Sequence, residues 1–135
     1  MMVTRPQRIL LLSDDAQSEA MRGALEARGL AITAAPDYES AYRQLIEARF
    51  QLVVIDLVAA VDGVEFIKRV RATTNLTQPL LLVIAEWGTG AGGLALTQGA
   101  DAYEPKPIDA ARLVDSVERL LGTKALSARG KIGAE

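Results

Sequence analysis

The stretch LVVIDLVAAVDG, residues 52–63, runs four aliphatic residues straight into a carboxylate, Asp56, and then passes through further apolar residues to a second acid beside a glycine, Asp62-Gly63. A short, unbroken aliphatic run without polar alternation reads as a strand covered on both faces. An ionised carboxylate is costly to bury, so one at the tip of such a strand is solvated there, paired, or used.

Working outward, apolar segments of two kinds alternate along the chain. RILLLS (8–13) is short and continuous, whereas AQSEAMRGALEARG (16–29) is helical, with Met21, Ala24 and Leu25 on one face and Gly29 as its stop. AITAA (31–35) is a weak strand, and Asp37 caps a helix on which Ala41, Leu45 and Ala48 share a face. After the 52–56 strand, a helix from about Gly63 places Gly63, Phe66, Ile67 and Val70 on one side. PLLLVIA (79–85) is the fourth strand. Four glycines between Gly88 and Gly93 then weaken the fourth helix, each by about 1 kcal/mol relative to alanine, so alanine at Gly90 and Gly92 should firm it. DAYE (101–104) is a short fifth strand, and the last helix carries a stripe of Leu113, Val117, Leu120 and Leu121 that ends at Gly122.

Five strand–helix units in strict alternation imply a doubly wound α/β fold, because each parallel connection needs a crossover and the crossover helices cover the sheet. Ligands bind such sheets beyond the carboxyl ends of the strands. Those ends carry Ser13-Asp14-Asp15, Asp56 and Ile84-Ala85, with Lys106 and Pro107 just past the fifth. The 135 residues suit one domain, set at 1–122 with its core at about 7–122, followed by a tail or linker over 123–135.

Composition removes several chemistries. There is no cysteine and no histidine, so disulfides, thiolate and imidazole nucleophiles and the usual zinc ligand sets are excluded. A net charge of −2 with dispersed lysines and arginines gives no field for a nucleic-acid backbone. The apolar start is broken by Ser13 after four residues, too short for a signal or membrane segment, and the chain reads as cytoplasmic.

If the first and third strands are neighbours, Asp14, Asp15 and Asp56 converge, and each pair about 4 Å apart repels by roughly 4 kcal/mol at an effective dielectric of 20. Such a cluster calls for a hard cation, and magnesium suits oxygen ligands. Lys106 supplies a second positive charge, so that a phosphoryl group could be clamped between the two, with Asp56 as nucleophile.

These residues resemble the receiver domain of two-component response regulators, of the single-domain chemotaxis type. The resemblance covers about residues 7–122. It rests on Asp14-Asp15 after the first strand, Asp56 at the tip of the third, Asp62-Gly63 opening the third helix, and Tyr103, Lys106 and Pro107 within GADAYEPKPI (99–108). It implies a flavodoxin-like sheet in the order 2-1-3-4-5. It implies too that Asp14, Asp15, Asp56 and the Val58 backbone carbonyl hold magnesium, and that Asp56 accepts a phosphoryl group from a histidine kinase or phosphotransfer protein. Lys106 would contact the phosphate, the Lys106-Pro107 bond would be cis, and Tyr103 would serve as a switch. Output would pass to a protein target through the face of the fourth helix, fifth strand and fifth helix, with homodimerisation open to it and no nucleic acid or membrane partner. Such a module signals and is not an independent enzyme.

Two departures stand out. Ile84 occupies the position where the family usually has a threonine or serine hydroxyl, and Gly63 follows Asp56 by seven residues where the family pattern has eight. They raise the alternative of a degenerate receiver that binds partners without phosphorylation. An aspartate-nucleophile phosphohydrolase is weaker, since its acids would be spaced Asp-x-Asp after one strand. A flavin site fares worse, with two acids where a phosphate loop would be, and GTGAGG (88–93) lacks the ending of a phosphate-binding loop. Trp87, the single tryptophan, is either a partner anchor or packing on the fourth helix.

Overall fold

The computed structural model describes residues 7–13, 18–56, 60–86, 88 and 90–128, with the backbone alone at 60–61 and 123–128. Strands and helices alternate: β1 (Arg8–Leu12), α1 (Ser18–Glu26), β2 (Ala31–Ala35), α2 (Tyr38–Glu47), β3 (Leu52–Asp56), α3 (Ala60–Ala72), β4 (Leu80–Glu86), α4 (Ala91–Thr97), β5 (Ala102–Lys106) and α5 (Ala110–Ala128). All strand pairs are parallel, and the sheet order is β2-β1-β3-β4-β5. The expected flavodoxin-like arrangement is therefore observed.

Period-two alternation sends successive strand residues to opposite faces, and both faces are covered. Leu10, Leu12, Val53, Ile55, Leu81 and Val83 pack with Ala41, Leu45, Phe66, Ile67 and Val70 from α2 and α3. Ile9, Leu11, Leu52, Val54, Leu82 and Ile84 pack with Met21, Leu25, Leu113 and Val117 from α1 and α5. That division is why the aliphatic runs show no polar alternation. Among the described residues, no helix is long and apolar enough to cross a membrane.

Local chemistry sets several boundaries. Asp37 caps α2, its Oδ1 accepting the Ser40 backbone N–H at 2.7 Å. Gly29 ends the α1 turn at φ 84°, a conformation that costs glycine little.

Four sequence expectations change. The third helix begins at Ala60, not Gly63, with Asp62 in its first turn, where an acid is favoured. The fifth helix runs through Gly122 to Ala128, because one interior glycine costs only about 1 kcal/mol and helix-forming residues follow it. The fifth strand extends past Pro105 to Lys106, since a proline is tolerated on an edge strand. Alanine at Gly90 or Gly92 would not firm α4. Gly90 is the N-cap at φ 81°, and a Cβ on Gly92 would lie 2.3 Å from the Tyr103 ring.

Candidate functional site at the tips of β3 and β5

Asp56 is the last residue of β3. Strand alternation turns it to the α1/α5 side, in step with Leu52 and Val54. It is 6% exposed, and its two oxygens meet different partners. Oδ1 lies 2.5 Å from Lys106 Nζ, while Oδ2 accepts a hydrogen bond from Ser13 Oγ at 3.2 Å. The ammonium touches Oδ1 without the alignment of a hydrogen bond, so among the described residues that buried oxygen is met by charge rather than by a directed donor.

Lys106 reaches Asp56 from two strands away because β5 carries it on the same side of the sheet, and the Lys106–Pro107 bond is cis. Beside the pair lies a cavity of about 290 Å³, bounded by Met21 of α1, Ile84 and Glu86 of β4, and Pro107 and Ile108 after β5. One wall is charged and the other aliphatic. A larger open hollow of about 560 Å³ lies between α2 and α3 against Tyr38, Phe66 and Arg69, and neither Asp56 nor Lys106 lines it.

Ile84 is directly opposite Asp56 in the β3–β4 register and is 1% exposed, so the β4 neighbour of the carboxylate offers it no donor. Tyr103 is not part of this cluster. It is half-buried on the other face of β5, packed on the core beneath α4, with its ring over Gly92. Asp14, Asp15, Val58 and Trp87 lie outside the described residues, and among the described residues no group of three or more acids could hold a metal ion.

Two polar residues at or near the site were not legible as such. Ser13 read as the tip of the first strand, with no contact to Asp56 assigned to it. Glu104 is the β5 partner of Ile84, so Asp56, Ile84 and Glu104 form one row across the sheet, with the isoleucine separating two buried acids. Burial pushes the Glu104 carboxyl up. A hydrogen bond from Ser116 Oγ to Oε2 and one from Arg112 Nε to Oε1 at 2.8 Å outweigh it, with help from the Arg112 and Arg119 charges, and hold the group below its usual value. The one signal in the sequence is a charged residue at a core-facing position of a strand.

Comparison with known proteins bears on the family and the fold. The family model for the response regulator receiver domain matches residues 9–118. The transcriptional regulatory protein CseB of Streptomyces avermitilis is 35% identical over 109 residues, covering 80% of this chain and 46% of that protein. Protein PetR of Rhodobacter capsulatus is 32% identical over 126 residues, covering 90% and 51%. The chain thus spans about half the length of these curated relatives. Among solved structures, a response regulator signal receiver domain from Bermanella marisrubri superposes with a TM-score of 0.79 at 28% identity, covering 87% of this chain and 99% of that one. A CheY-like receiver domain protein from Methanospirillum hungatei, 20% identical, gives a TM-score of 0.81 and covers 91% and 99%, a likeness of fold.

Proposed function

Because the chain belongs to the response regulator receiver family, we propose that it is a phosphoacceptor in a two-component relay, taking a phosphoryl group on Asp56 from a histidine kinase or phosphotransfer protein. The observation that carries the reading is a buried carboxylate at the tip of β3 with an ammonium 2.5 Å from it, beside a cavity open to a donor. An Asp56 oxygen forms the bond to phosphorus as the phosphorus–nitrogen bond of the donor phosphohistidine breaks; the electron pair returns to the imidazole, which takes up a proton. The Lys106 ammonium is a fixed positive charge for the phosphoryl oxygens as the group transfers.

The chemistry of Asp56 fits magnesium, since it is a buried carboxylate that offers hard oxygens, with the Lys106 ammonium 2.5 Å from Oδ1. Asp14, Asp15, Asp56 and the Val58 carbonyl would hold the ion, which when bound neutralises charge on the phosphoryl group. Signalling would follow through α4, β5 and α5, where Leu94 and Leu96 stand 47% and 43% exposed on α4 and β5 forms the sheet edge. The same face is open to a second copy of the chain.

A second reading, an interaction domain that no longer switches, draws on Ile84. An aliphatic side chain opposite Asp56 gives a phosphoryl oxygen no hydroxyl at that point of the sheet. One experiment separates the two. On incubation with magnesium and acetyl phosphate, intact mass should show one added phosphoryl group on the wild type and none on Asp56→Asn; no gain by a folded wild type would favour the interaction-only reading.

A further inference from the structure

We infer that Ser13 is a positioning residue for Asp56, holding the carboxylate in the orientation from which it attacks phosphorus; this rests on the phosphoacceptor reading above. Ser13 follows β1 in step with Ile9 and Leu11, which puts its side chain on the same face as Asp56. It is 9% exposed, and its backbone N–H donates to the Ala35 carbonyl at 3.2 Å, so the main chain is tied to β2. A carboxylate only accepts hydrogen bonds, so in the contact of 3.2 Å with Oδ2 the hydroxyl is the donor.

Asp56 is thereby held at both oxygens, by Ser13 from the β1 side and by Lys106 from the β5 side. Contacts at both oxygens restrict rotation of the carboxylate about Cβ–Cγ more than either contact does alone. Ile84 supplies no donor, so among the described residues the hydroxyl that reaches Asp56 arrives from β1 rather than β4. A reacting carboxylate gains rate from such fixing because its rotational freedom is already spent before the donor arrives. The bond that forms is oxygen to phosphorus and the one that breaks is phosphorus to the donor's leaving atom; Ser13 keeps its proton throughout.

The test is single-turnover phosphorylation by acetyl phosphate with magnesium, comparing wild type, Ser13→Ala, Ser13→Thr and Asp56→Asn. Removing a hydrogen bond to a charged group is expected to lower the maximal rate about tenfold, with the half-saturating donor concentration unchanged. Threonine, which restores the hydroxyl, should return the rate to within about threefold of wild type. A readout that needs neither metal nor phosphodonor is the ¹³C resonance of the Asp56 γ-carboxylate at neutral pH, which should move in Ser13→Ala and return in Ser13→Thr. A wild-type rate in a folded Ser13→Ala, or a loss that threonine does not repair, overturns the role of Ser13 and leaves the phosphoacceptor reading standing. A wild type that gains no Asp56-dependent phosphoryl group overturns both.

Discussion

Two acids share the α1/α5 side of the sheet, and their surroundings stabilise them differently. Asp56 is met by a lysine from β5 and by the hydroxyl of Ser13 just after β1, whereas Glu104 is held by a guanidinium and a hydroxyl from the helix that covers it. With its folded pKa below the usual glutamate value near 4.5, Glu104 contributes stability that is present above that value and is lost as pH falls through the lower folded one. Glu104→Gln should therefore flatten the acid limb of a melting-temperature profile below about pH 4.5, and an unchanged limb would contradict this. Asp56 was legible because it ends an aliphatic run. The support of Glu104 was not, because Arg112 and Ser116 stand 8 and 12 positions away and meet it only once α5 packs on β5.

Among the elements, α4 best shows how context overrides propensity. By intrinsic preference its glycines are equivalent weaknesses, yet each answers to different surroundings. A Cβ on Gly93 would meet nothing within 4 Å and its φ is not positive, so Gly93→Ala should stabilise the protein by about 0.5–1 kcal/mol and slow amide exchange in α4. Gly92→Ala should do the reverse, lowering the melting temperature and displacing the Tyr103 ring, which ¹⁹F NMR of fluorotyrosine would report as a shift of one of three resonances. Stabilisation by both variants would show that helix propensity alone governs α4. Arg71 makes the same point at the end of α3. It bonds the Gly99 and Pro79 carbonyls, Gln78 and Asp101, tying α3 to the starts of β4 and β5, and no periodicity marks it out.

In the molecule as a whole, the fold delivers residues far apart in sequence to one end of the sheet, and ion binding there should couple to folding. Magnesium at 100 times its dissociation constant would add about 2.7 kcal/mol to the stability of the wild type. Thermal melts should rise with magnesium, fall back on chelation, and respond much less in Asp56→Asn; equal rises in both would argue against a site at Asp56. The sequence by itself determined the alternation of elements and the doubly covered sheet, because hydrophobic periodicity and length are local quantities that each segment displays alone. It also placed Asp56 at the tip of the third strand and Lys106 just past the fifth, since motif spacing survives without coordinates. Tertiary structure decided the rest. The Ser13 contact, the row of Asp56, Ile84 and Glu104, and the seat of Tyr103 on Gly92 depend on strand register and helix docking, and those fix which side chains of distant segments meet. Even the end of the last helix belongs there: Gly122 marks a stop by propensity, and in the folded chain the helix continues through it to Ala128.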